Sequence, residues 1–91
     1  MTDLDDFEQR VRRTEADIVR FCEQHDFEIT GVDRVVDEVA AAMIIGYGTV
    51  DALRKAIKDG TLDLPYRMIG KSRKYRIVDL AAHIERNYRC E

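Results

Sequence analysis

Two cysteines, one proline and the absence of any long apolar run set the first limits on this 91-residue chain. Cys22 and Cys90 make neither a disulfide framework nor a zinc site, so both are read as free thiols. No stretch approaches the ~18 consecutive apolar residues of a transmembrane helix. The opening Met1-Thr2-Asp3-Leu4-Asp5-Asp6 is acidic, whereas a secretory signal starts basic and turns apolar, so a cytoplasmic protein with no membrane partner is expected. There is no internal repeat and no low-complexity segment. What is present is a globular composition, 45% hydrophobic and 36% charged, sufficient for one modest core but not for two catalytic domains.

The net charge of −3 hides an asymmetry. Residues 1–45 carry 12 Asp/Glu against 5 Arg, a balance of −7; residues 46–91 carry 6 Asp/Glu against 10 Lys/Arg, a balance of +4. A basic half in an acidic chain points to a polyanion.

Residues 3 to about 25 read as a long helix. Leu4, Phe7, Val11, Thr14, Ile18, Phe21 and His25 recur at alternating spacings of three and four, and Asp3, Asp5, Asp6 and Glu8 crowd the first turn, where the helix dipole favours negative charge. The stripe has two readings. It packs on the chain's own core, or Leu4, Phe7, Val11, Ile18 and Phe21 form a homodimer seam. Phe27 to Gly31 reads as an extended link. Asp33 then caps a second helix, with Val36, Val39, Ala40 and Met43 as its buried stripe and Gly46 or Gly48 as its stop. Thr49 caps a third helix ending at Gly60, with Val50, Leu53 and Ile57 inward and Asp51, Arg54, Lys55 and Lys58 outward. Tyr66 to Ile77 alternates like a β-hairpin, with Gly70-Lys71-Ser72-Arg73 at its turn. Asp79 caps a last helix, with Leu80, Ala81, Ile84 and Tyr88 inward.

Two helices joined by a glycine turn, the second one basic, followed by a hairpin with a basic tip: this order predicts an α+β, mostly helical, winged helix-turn-helix domain over 29–91, preceded by an extra N-terminal helix over 1–28. A helix fits the major groove of duplex DNA, and a basic wing reaches phosphates or the adjacent minor groove. The DNA-binding candidates are Thr49, Asp51, Ala52, Arg54, Lys55 and Lys58 on the helix, and Lys71, Ser72, Arg73, Lys74 and Arg76 on the hairpin.

The stretch Thr49-Val50-Asp51-Ala52-Leu53-Arg54-Lys55-Ala56-Ile57-Lys58-Asp59-Gly60-Thr61-Leu62-Asp63-Leu64-Pro65 resembles the recognition helix and exit of the excisionase-like, MerR-related winged helix-turn-helix proteins. The tail Ile77-Val78-Asp79-Leu80-Ala81-Ala82-His83-Ile84-Glu85-Arg86-Asn87 is similar to their helix after the wing. The chain most resembles the pyocin activator family of phage-derived transcription activators, over residues 33–88. The resemblance implies a small phage or mobile-element regulator: a transcription factor, or an architectural factor that helps an integrase by bending DNA. Two features depart from the pattern, the Ile44-Ile45-Gly46-Tyr47-Gly48 turn and the acidic N-terminal helix. The latter opens an alternative, a protein-interaction module whose acidic helix engages a basic phage or host protein or mimics DNA.

An enzyme needs a nucleophile with a base, paired carboxylates or a metal cluster. His25 and His83 are isolated in sequence, Ser72 sits on a hairpin tip with no elbow motif, and Gly46-Tyr47-Gly48 lacks a phosphate-loop context. No catalytic residue, cofactor or metal is expected.

Overall fold

The computed structural model describes residues 3–88, with side chains from residue 6; Leu4 and Cys90 lie outside the described side chains. Helix α1 (Asp3–Gln24) is followed by a short strand β1 (Val35–Val36), helix α2 (Glu38–Ile45), helix α3 (Val50–Lys58), strands β2 (Arg67–Ile69) and β3 (Ser72–Arg76), and helix α4 (Ile77–Arg86). The three strands form one antiparallel sheet in the order β1-β3-β2. The class is therefore α+β and mostly helical. Among the described residues no helix is long and apolar enough to cross a membrane.

The amphipathic stripe of α1 lies against α4. Val11, Ile18 and Cys22 are buried in the common core, with Phe7 and Val19 packed against it. Glu85 of α4 fastens the pair. It accepts a hydrogen bond from the Thr14 hydroxyl at 2.7 Å and pairs with Arg10 at 3.4 Å. Val11 and Ile18 are thus occupied within the chain rather than offered to a second copy. Phe21 is half-buried and meets the rings of His25 and Phe27.

The segment before α2 differs from the helix expected from Asp33. Thr30 and Val35 exchange two backbone hydrogen bonds (3.0 and 2.8 Å) across a tight turn. Val35 and Val36 then pair with Arg76 and Tyr75 of β3, and both valines are fully buried. Two β-branched residues in a row suit a strand edge better than a first helical turn. The helix cap moves to Asp37, whose carboxylate accepts from the Ala40 N–H at 2.9 Å. The buried face of α2 moves with it, to Ala40, Ala41 and Ala42, while Val39 and Met43 are exposed. Alanines on the inner face let α2 approach its neighbours closely.

Gly46 stops α2 in the left-handed region (φ +100°), donating to the Ala42 carbonyl. Thr49 caps α3 by accepting from the Ala52 N–H at 3.1 Å. Leu53 and Ala56 are the fully inward residues of α3. The hairpin turn is tighter than expected: Ile69 pairs with Ser72, leaving only Gly70 and Lys71 in the loop. Gly70, at the first central position with φ +62°, supplies the positive φ that a two-residue turn of this type requires. Helix α4 follows β3 without a linker, and Asp79 is not its cap. The cap position is Arg76, which has no side-chain capping bond, and Asp79 in the first turn instead accepts from the Arg76 guanidinium at 2.6 Å. Ile77, Leu80 and Ala81 face inward, whereas Tyr88, expected inside, is 76% exposed beyond the end of α4.

Leu53 is fully buried where α3 meets the core. Leu53→Ala is expected to cost about 2–5 kcal/mol, the range for a buried leucine truncation. Gly46→Ala has room for the new methyl group but must keep a positive φ, at about 1–2 kcal/mol. Urea denaturation of both variants checks this, and an unchanged midpoint for Leu53→Ala would mean that α3 is not docked.

Candidate nucleic-acid interface

The turn Gly46-Tyr47-Gly48 delivers α3 with Asp51, Arg54, Lys55 and Lys58 exposed and Ala52 half-buried. Thr49 is exposed, but its hydroxyl is engaged in capping. The hairpin carries Lys71 and Ser72, exposed, and Arg73 and Lys74, half-buried. Residues 64–78 contain five basic side chains and no carboxylate.

Three of the arginines in this region are tied to carboxylates. Arg54 makes a two-pronged contact with Glu38 at the start of α2: Nε donates to Oε2 at 2.8 Å and Nη2 to Oε1 at 2.7 Å. The Glu38 side chain is only 12% exposed. Arg54's hydrogen bonds hold this carboxyl below the usual range against the opposing effect of partial burial, with the charges of Arg54 and Arg73 adding to the shift. Arg67 grips Asp33 in the same two-pronged way (2.8 and 3.3 Å) and lowers it similarly. Arg76 is held by Asp79 at the base of the hairpin. Arg54 and Arg76, both read from sequence as free DNA contacts, are therefore ion-paired. The pair partners sit sixteen residues away in one case and three in the other.

Lys55, Lys58, Lys71, Arg73 and Lys74 form no ion pair with a described carboxylate. Arg73 lies over the Tyr66 ring at 4.7 Å, and Tyr66 in turn meets Tyr75 at 5.9 Å. Burial pushes the Tyr75 phenol up, with the nearby Arg73 guanidinium opposing, and its hydroxyl has no hydrogen-bond partner among the described residues. Glu38 binds Arg54 of α3 directly, and the hairpin's Arg73 adds a smaller electrostatic effect on the same carboxyl. Sequence reasoning missed Glu38 as the partner of Arg54 and Tyr66 as the support for Arg73. The second could have been found, because the hairpin register sets Met68 opposite Arg73 and puts Tyr66 on the same face.

Among the described residues, the remaining histidines do not converge with other reactive groups. His25 rests on Phe21 (4.2 Å between rings), and His83, pushed down by burial and by Arg86, neighbours Asn87. Among the described residues no group of three or more His, Cys, Asp or Glu is arranged to hold a metal ion.

Glu38 and Asp33 titrate lower in the folded chain than in the unfolded one. Their contribution is complete above the unfolded carboxylate range, about pH 4, and disappears as pH falls through the lowered folded values. Glu38→Gln removes one of the two contributions. The variant should start less stable at neutral pH and lose less than the parent on acidification, measured as urea midpoints between about pH 6 and pH 2.5. Parallel curves would show that the Arg54–Glu38 pair does not couple to folding.

Comparison with protein-family models, with curated proteins and with solved structures gave no match, so the reading of this surface rests on its geometry and charge.

Proposed function

We propose that the chain is a winged helix-turn-helix protein that binds duplex DNA sequence-specifically, as a transcription or excisionase-type regulator of a phage or mobile element. The observation that carries this reading is the set of five cations that pair with no described carboxylate, Lys55 and Lys58 on α3 and Lys71, Arg73 and Lys74 on the hairpin. They lie on the second of two helices joined by a short turn and on the β-hairpin that follows it after the 59–66 link. Unpaired cations on a helix and a ribbon are what a phosphate backbone neutralises, with release of its counterions. The short strand β1, pairing with the hairpin on the side away from β2, also fits a winged arrangement. Assignment to a mobile element rests on the resemblance of residues 33–88 to the pyocin activator family.

In this reading Lys55 reaches base edges or phosphate in the major groove, Lys58 clamps phosphate, and Lys71, Arg73 and Lys74 anchor the wing. Thr49, Asp51 and Ala52 shape the entry of the helix. Arg54 meets DNA only by sharing or exchanging its hold on Glu38. The competing reading, an acidic partner-binding α1, draws less support. At about 100° per residue, Glu8, Glu15 and Glu23 follow one edge of the helix and Asp6 and Asp17 another, with Arg12, Arg13 and Arg20 among them. They form no single acidic stripe. A homodimer, if it assembles on DNA, joins through a surface other than Val11 and Ile18.

The test is fluorescence anisotropy against duplexes tiled from the DNA flanking the gene, beside a random duplex, at several salt concentrations. Lys55→Ala with Lys58→Ala should lower affinity for the preferred tile roughly tenfold or more without moving the melting temperature. Neutralising Lys71, Arg73 and Lys74 should weaken binding to every sequence and flatten the logarithmic salt slope by about two to three. Arg54→Ala is a poorer probe, because it strands Glu38. Equal, salt-labile binding to all tiles would overturn the sequence-specific reading.

A further inference from the structure

The hairpin carries a feature that phosphate binding does not use. Met68 is 52% exposed and Ile69 42% exposed at the outer end of β2, and Tyr66 beside them is exposed as well. β2 is the edge of the sheet, with no described residue covering it. Two large apolar side chains at the tip of a ribbon lose solvation free energy unless something covers them.

The charge around them selects the occupant. The only charged side chains between Asp63 and Asp79 are Arg67, Lys71, Arg73, Lys74 and Arg76. Arg67 and Arg76 are held by Asp33 and Asp79, but a second copy laid edge to edge along β2 would still set Lys71, Arg73 and Lys74 against the same three cations. A polyanion with an apolar interior meets both requirements, and stacked base pairs between two phosphate strands are such a partner.

We infer that the wing enters the minor groove and that Met68 is an apolar wedge between two base pairs, kinking the duplex. This rests on the DNA-binding reading above and adds a mode of binding to it. The face decides between the two candidates. Met68 stands opposite Arg73, so the two side chains share a face with Tyr66. Arg73, braced on the Tyr66 ring, shares its face of the ribbon with the wholly buried Tyr75 two residues further along β3. Met68 therefore lies on the face of the ribbon that runs into the core beside α2, the helix on which α3 packs, with a guanidinium beside it to hold the flanking phosphate or the groove acceptors. Ile69 pairs with Ser72 on the opposite face. An unbranched thioether is also the shape that slides into a base step, and methionine is among the side chains that proteins insert in this way.

The experiment uses the full chain and the tightest-binding tile, labelled at both ends for energy transfer, with affinity read separately by anisotropy. The parent should bring the ends together, corresponding to a kink of roughly 20–90°. Met68→Ala should abolish most of that approach while affinity falls less than about tenfold, Met68→Leu should restore it, and Ile69→Ala should bend DNA like the parent. Met68 is exposed, so the melting temperatures should coincide. Binding by the parent without bending would overturn the wedge and leave the DNA reading standing, as would bending that survives Met68→Ala or that fails in Ile69→Ala instead. Absence of binding to any duplex would overturn both. A dimer in sedimentation velocity that forms without DNA and is lost in Met68→Ala would assign the patch to self-association and overturn the wedge.

Discussion

The pairing of Val35 and Val36 with Arg76 and Tyr75 ties the basic hairpin to the helices of the core. β3 is the middle strand. On one side it holds β1, which runs through Asp37 into α2; on the other it holds β2; at its end it becomes α4 with no intervening residue. Tyr75, wholly buried, fills the junction. A hairpin on a flexible tether would present its cations over a wide cone and lose much of their effect to ordering entropy when they bind. Here the base of the hairpin is continuous with the core through Tyr75 and Ile77, and ion pairs clamp its flanks at Arg67–Asp33 and Arg76–Asp79. The base of the hairpin is therefore fixed against α2 and α4.

The same ion pairs divide the basic residues by task. A guanidinium offers a planar fork that matches a carboxylate, and Arg54 and Arg67 are each used in that two-pronged way. Exposed pairs of this sort add little stability individually, but each joins two segments distant in sequence, so each also selects one arrangement of the chain. The lysines cannot make the fork contact, and α3 and the hairpin leave theirs free. Eight basic residues lie between Val50 and Arg76, and removing Arg54, Arg67 and Arg76 leaves five. That subtraction, rather than the total charge of −3, describes what an approaching anion meets.

The division also explains what the sequence could and could not reveal. Local signals were legible. The three-and-four spacing of α1, the Gly46 stop, the Thr49 cap and the alternation around Tyr66 to Ile77 each depend on neighbours within one or two turns. What was not legible depends on distant residues. β1 is two residues long and exists because β3, some forty residues later, pairs with it; without that partner, Asp33 reads equally well as a helix cap. Once the helix begins at Glu38 instead, the alanines turn inward and Val39 and Met43 turn out. The candidate site followed the same rule. Its basic residues were visible as a cluster, but Arg54 looked free because Glu38 lies a whole helix and a turn away.

The Arg54–Glu38 pair has a consequence for how such a surface discriminates among anions. Moving Arg54 from a largely enclosed carboxylate to a phosphate exchanges one charge-assisted contact for another, and it leaves Glu38 either unpaired or facing Arg73 alone. The net gain is then small for any phosphate that merely happens to be near. It becomes large only where the geometry lets Arg54 keep Glu38 with one edge of its fork and meet a base or phosphate with the other. In the proposed DNA-binding reading, Lys58 and the hairpin cations carry no such restraint and would supply attraction that every duplex shares and that salt weakens. Arg54 adds little to that shared attraction, and its orientation is set in advance by a carboxylate that also repels a misplaced phosphate. In that reading, a buffered arginine beside unbuffered lysines would separate discrimination from affinity without requiring a second site.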